Sequence, residues 1–253
     1  MVKTSEIPSV KDLFKAGAHY GHRKDKCDAR AKDYIYMFKD KIAVINLAMT
    51  QRSLQEALDY LSCRAKEGAS FMLVGTKTQA KEKIRKVASE LKQFHVTDRW
   101  PGGLLTNFAE VKKSIKKIDR FKEMLESEKG SYLTKKEKLK MQKELDKMMR
   151  TFGGLIGLDG NPDVIIIVDP DTEKIALKEA MSADIPVVAL TDVNFNPQKI
   201  SYPVVANDDS VATVEMFLDL IKNAIARNLR PKKIEEDGAK PESPKKTNKE
   251  KDE

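Results

Sequence analysis

Between His19 and Lys32 the chain reads HYGHRKDKCDARAK, two histidines and a glycine set among Arg23, Lys24, Lys26, Arg30 and Lys32 on a loop-like stretch. Cationic groups on irregular backbone can reach phosphates from several directions, which suits shape-based contact with folded RNA. A second basic group follows Asn107, where Lys-Lys pairs begin at positions 112, 116 and 135. Such lysines ordinarily mark a solvated helix face laced with i,i+4 ion pairs. A balance of 14 basic to 8 acidic residues over 107–150 turns Lys112, Lys113, Lys116 and Lys117 toward a polyanion instead. Between the two groups stands the only tryptophan, Trp100, in RWPGGLLTNF. Its ring can stack on a base, or, as is commoner for a large aromatic, plug the base of a projecting element. Arg99 beside it is a candidate phosphate contact.

Other chemistry is thinner. His19 and His22, with Asp192, Asp208 and Asp209 from later strand ends, supply ligand types suited to magnesium or zinc, but no close spacing supports them. The expectation is therefore no cofactor and no metal, with those residues as the set a metal would use. Asp169 and Asp192 could serve an enzyme as acid or base, yet such aspartates more often cap the next turn or helix. No G-x-G-x-x-G, G-x-x-x-x-G-K-[ST] or G-x-S-x-G is present, and GGLIGLDG precedes a strand instead of joining strand to helix. The alternative reading, an α/β nucleotide-binding domain or enzyme with a helical insertion, thus lacks its motifs. Cys27 and Cys63 fit neither a disulfide framework nor a zinc finger, and point to a reducing compartment. The longest aliphatic run, VIIIV, is too short for a bilayer, so a soluble intracellular protein without a membrane partner is expected.

Charge is segregated along the chain. Residues 1–150 carry 34 Lys+Arg against 20 Asp+Glu, whereas 151–230 carry 6 against 12. Residues 231–253 hold 7 of each sign and no apolar period, which predicts a disordered tail.

The elements that must position these residues follow from apolar periodicity. YIYMF, IAVIN, SFMLVG, FHVTD, PDVIIIVDP, IPVVALTD and YPVVAN alternate with helical patterns, a βαβ rhythm. Continuous Val/Ile runs imply strands buried on both faces, hence a mostly parallel sheet with helices on each side. From Asn107 to Arg150 the rhythm stops: Phe108, Val111, Ile115, Ile118 and Leu125, then Met141, Leu145, Met148 and Phe152, keep a three-four spacing. Thr134 and Glu137 form a capping-box pattern after EKGSYLT. The predicted organisation is a discontinuous α/β domain at 1–106 and 151–230, a helical hairpin at 107–150 that leans on itself as a coiled coil, and a tail at 231–253.

The motifs LFKAGAHYGHR, YIYMFKDKIAVINLAMT, FMLVGTKTQAKE, RWPGGLLTNF, FGGLIGLDGNPDVIIIVDP, IPVVALTDVNFNP and YPVVANDD, in this order, resemble the bacterial-type branch of the universal S-two (uS2) family of small-subunit ribosomal proteins, over about residues 9–230. The resemblance implies a flavodoxin-like, Rossmann-like parallel sheet with an inserted coiled-coil hairpin. It implies a structural, non-enzymatic role, binding small-subunit rRNA between head and body and supporting translation. Neighbouring small-subunit proteins, ribosomal protein S-one among them, are the implied partners, on a cytoplasmic or organellar ribosome. The chain departs from the family in KDKCDARAKD, where Asp25, Asp28 and Asp33 interleave with the bases, and in Pro101, where the family has leucine.

Overall fold

A computed structural model describes residues 7–126 and 134–229. The expected connection at EKGSYLT and the expected tail at 231–253 lie outside the described residues, apart from Thr134 itself. Helix α1 (Val10–Lys15) opens the chain, and its cap Ser9 exchanges side-chain and backbone hydrogen bonds with Asp12. Strands β1 (Tyr20–Arg23), β2 (Ile35–Lys39) and β3 (Ile42–Ile45) form an antiparallel sheet in the order β1-β3-β2. This corrects two expectations. YIYMF and IAVIN are not part of the parallel βαβ series, because a two-residue turn at Asp40 and Lys41, both at positive φ, folds one directly onto the other. The stretch from His19 to Lys32 is not all loop, since it contributes β1 and two short 3-10 turns.

The parallel sheet follows. Strands β4 (Phe71–Val74), β5 (Phe94–Val96), β6 (Val164–Val168), β7 (Val187–Thr191) and β8 (Tyr202–Val205) stand in the order β5-β4-β6-β7-β8. Ranked by appearance, that is 2-1-3-4-5, the flavodoxin-like arrangement. Alternation sends Val164, Ile166 and Val168 of β6 into one core and Ile165 and Ile167 into the other. On the first face lie α2 (Leu47–Lys66), α3 (Thr78–Leu91) and α7 (Val211–Ala226). On the second lie α6 (Lys174–Ser182), Trp100 and the base of the insertion. A third, smaller core of Ala31, Ala43, Ile45, Val193 and Val205 joins the antiparallel sheet to the parallel one.

The insertion lies between β5 and β6. Helices α4 (Phe108–Glu126) and α5 (Lys135–Phe152) run from the expected start and pass the expected end at Arg150 by two residues. Val111, Ile115, Ile118 and Leu145 are buried along the seam, and Lys117 reaches Glu144 across it at 2.7 Å. Thr134 and Glu137 make the capping box their spacing predicts.

Candidate nucleic-acid interface

The predicted basic residues fall into three environments. Arg23 ends β1, Lys24 and Lys26 lie on the 3-10 turn Lys24–Lys26, and Arg30 and Lys32 lie on the 3-10 turn Ala29–Tyr34; all five are exposed. Asp28 caps the second turn by accepting from the Arg30 N–H at 2.8 Å. Two of the interleaved acids do engage bases: Arg23 faces Asp25 at 3.2 Å and Arg30 faces Asp28 at 3.9 Å. Exposed pairs of this kind are worth little and exchange readily for a phosphate. The short turns are held from beneath. The Asp28 N–H donates to the Val193 carbonyl at 2.8 Å, and His22 Nδ1 meets Asp192 Oδ2 at 2.7 Å. That carboxylate's hydrogen bond raises the His22 pKa against the opposing effect of burial.

The insertion lysines are more occupied than sequence reasoning allows. Lys112 reaches Asp159 at 3.2 Å, Lys113 pairs with Glu110 at 2.6 Å, and Lys117 takes Glu144. Of the four, Lys116 alone has no ion pair recorded among the described residues. Glu110 lies three residues before Lys113 on the same helix, Asp159 lies beyond the insertion and Glu144 on α5; these pairs are exposed and, like those of Arg23 and Arg30, exchange readily for a phosphate.

Trp100 is a packing residue, and its place among the expected RNA contacts is corrected. Its ring is 6% exposed and packs in the second core with Val96, Leu104, Val111 and Leu155. No face is open to a base. Arg99, the preceding residue, is exposed. The returning chain seats against the same region at Gly154, where a Cβ would collide with the His95 carbonyl oxygen and ring.

The carboxyl ends of the parallel strands, where this fold type binds small ligands, are occupied by the protein's own ion pairs. Lys77 Nζ, just beyond β4, lies 2.8 Å from Asp169 Oδ2, 2.8 Å from Asp208 Oδ1 and 2.7 Å from Asp209 Oδ1. Glu173 accepts from the Thr76 N–H at 2.8 Å and its hydroxyl at 2.5 Å. Burial, with the Asp169 charge nearby, pushes Asp208 up to about 7. Burial opposes the charge of Lys77, but its three carboxylate partners outweigh that and raise its pKa. The residues do not fit the metal set considered from sequence. His19 stacks on Phe14 at 4.1 Å and lies tilted against Tyr20 at 4.0 Å between ring centroids, while His22 serves Asp192 and an ammonium already sits among the aspartates. Among the described residues no group of three or more His, Cys, Asp or Glu is arranged to hold a metal ion. Sequence reasoning missed Lys77 altogether; its only signal is a lysine directly after the β4 run FMLVGT.

A 2-1-3-4-5 sheet with Lys77 among three aspartates at the carboxyl ends of its strands, and with exposed basic residues on an appended sheet and on an inserted helix pair, defines a flavodoxin-like α/β protein with a helical insertion. Residues 13–228 match the family described as ribosomal protein S2. The small ribosomal subunit protein uS2 of Dictyoglomus turgidum is 37% identical over 228 residues, covering 89% of this chain and 93% of the relative. That of Petrotoga mobilis is 38% identical over 219 residues, 87% of this chain and 76% of the relative. That of Salinibacter ruber is 35% identical over 237 residues, 94% and 74%. The chain belongs to the ribosomal protein S2 family. Its relatives are named as constituents of the small ribosomal subunit, not as enzymes.

Proposed function

We propose that this chain is a structural constituent of the small ribosomal subunit, binding small-subunit rRNA at the head-body junction through its basic half and thereby supporting translation. The observation that carries the reading is the joint one of family membership across residues 13–228 and charge segregation, with 34 basic to 20 acidic residues up to position 150 and 6 to 12 from 151 to 230. Arg23, Lys24, Lys26, Arg30, Lys32 and Arg99 take phosphates in this reading, and Lys116 does so from α4. Lys112, Lys113 and Lys117, on the same inserted helix, contribute less. The acidic half faces neighbouring small-subunit proteins, ribosomal protein S-one among them, and the coiled-coil pairing of α4 and α5 projects from the scaffold to meet RNA or protein. The site is the cytoplasmic ribosome of a bacterial-type cell, and neither a metal nor a cofactor enters. Among the described residues no helix is long and apolar enough to cross a membrane.

Sedimentation tests the reading. The tagged chain expressed in growing cells should travel with small subunits in a magnesium-containing gradient and leave them at high salt. Recovery solely from the ribosome-free top fractions contradicts it.

A further inference from the structure

The antiparallel sheet carries an outer face that the parallel domain leaves uncovered. In an antiparallel pair, residues directly opposite each other share a face. Tyr20 opposes Val44, which opposes Met37; Arg23 opposes Ile42, which opposes Lys39. Two cross-strand rows result, Tyr20–Val44–Met37 and Arg23–Ile42–Lys39. Ala43 and Ile45, which alternate with them on β3, point into the third core, so both rows face outward. Tyr20 is 58% exposed, and its ring is held on His19 by the ladder that begins at Phe14.

Beside this face, Ile35 opposes Ile45 and Met37 opposes Val44, so Tyr36 is the extra residue of a β-bulge on an edge strand. Bulges re-aim side chains, and Tyr36 is 72% exposed. Phe38 follows, with Lys24 Nζ 5.5 Å from its ring centroid. Phe38 opposes Ala43 and so lies on the other face of the sheet; among the described residues the exposed aromatic side chains are Phe14 on α1, Tyr20 on β1, and Tyr36 and Phe38 on β2.

We propose that this sheet is a stacking platform for unpaired bases of RNA, with Tyr20 and Tyr36 as the stacking rings and Arg23, Lys24 and Lys39 holding the flanking phosphates. The inference deepens the RNA-binding reading and rests on it. A protein partner would also cover apolar surface, but exposed rings interleaved with cations are what single-stranded and looped RNA requires. Arg23 and Lys39 flank Ile42 within one row, giving the charge complementarity. Tyr20 is pre-ordered by its ladder, so little ring freedom is lost on binding.

The test uses the full chain, transcribed small-subunit rRNA as probe, and a salt series. Y20A and Y36A should each weaken binding by roughly 5- to 150-fold, the range that loss of one base-aromatic stack produces. The salt slope should stay at the wild-type value, since no charge is removed, and Y20F and Y36F should retain binding. Both residues are exposed, and an unchanged melting temperature verifies the fold. The R23Q/K39Q variant should instead flatten the slope by about 0.7 to 0.9 for each lost phosphate contact. A photo-cross-linker at position 36 in assembled small subunits should yield an RNA adduct. Wild-type affinity in both alanine variants, phenylalanine variants as weak as alanine, or a protein adduct at position 36 overturns the platform while leaving the RNA reading standing. A wild-type chain that binds no small-subunit rRNA overturns both.

Discussion

The Trp100 indole N–H donates to Glu179 Oε1 at 3.2 Å, and the same oxygen accepts from the Gly103 N–H at 2.8 Å while Oε2 accepts from the Leu105 N–H at 3.0 Å. One carboxylate on α6 therefore holds the ring and the turn that launches the insertion. Trp100→Ala removes a buried ring as well as this contact and should cost about 3–5 kcal/mol in denaturant unfolding. Trp100→Phe, which keeps most of the packing, should cost less. Loss of RNA binding by Trp100→Ala at unchanged stability contradicts the packing role.

Gly102 and Gly154, at the two ends of the insertion, differ in what they tolerate. Gly154→Ala sets a methyl against the His95 carbonyl, which is backbone and cannot move aside, and should destabilise by about 1–3 kcal/mol. Gly102→Ala meets nothing within 4 Å and should fall within about 0.5 kcal/mol of wild type. Equal melting temperatures for the two variants contradict the close approach at Gly154.

Much of the fold is legible in the sequence because burial on two faces leaves an unambiguous mark. VIIIV and FMLV lie between helices, and their uninterrupted runs say so. The hairpin that became an antiparallel sheet is misassigned for a related reason. YIYMF and IAVIN read as strands, but period alone does not say which strand each pairs with, and the deciding turn, Asp40-Lys41, uses residues that only weakly signal positive φ. The candidate site divides in the same way. The exposed bases of residues 23–32 are visible as a run. The pairing of Lys112 with Asp159 and the seat of Lys77 among three aspartates depend on contacts between distant positions. Trp100 could be read either way until its burial was known.

Removing the central ammonium of the carboxyl-end cluster should be costly and pH-dependent. Lys77→Met leaves Asp169 and Asp208 buried and uncompensated, at a cost of about 3–5 kcal/mol near pH 8. Asp208 has a folded pKa raised to about 7 from an ordinary value near 3.8, so its contribution is fully present below 3.8 and lost as pH rises through 7. With Lys77 gone, proton uptake by Asp208 can relieve part of the penalty. The variant should therefore lose less stability at pH 5 than at pH 8, measured by urea midpoints. A pH-independent difference contradicts the account.

His22 offers the companion titration. Its folded pKa is raised by Asp192, so the pair's stabilisation is complete below the ordinary histidine value of 6.5 and lost as pH rises through the raised one. His22→Gln should cost more stability at pH 5.5 than at pH 8.5, and the wild-type imidazole should titrate above 6.5 by NMR. A midpoint below 6.5 contradicts the pairing.

The most direct test of the central claim, that the basic half meets RNA, is binding to small-subunit rRNA across a salt series by three variants. In the first, Arg23, Lys24, Lys26 and Arg30 become glutamine; in the second, Lys112, Lys113, Lys116 and Lys117 do; in the third, Lys174, Lys178 and Lys222 do. Each lost phosphate contact lowers the log-log salt slope by about 0.7 to 0.9. The first set should show the largest loss of slope and affinity. The second should show less, because its lysines lie on the inserted helix α4, which can meet a neighbouring protein or solvent in place of RNA. The third should show least, since Lys174, Lys178 and Lys222 lie in the acidic half, where 6 basic residues face 12 acidic ones. If the third set instead shows the largest change in slope, the proposed orientation of the protein on RNA is wrong.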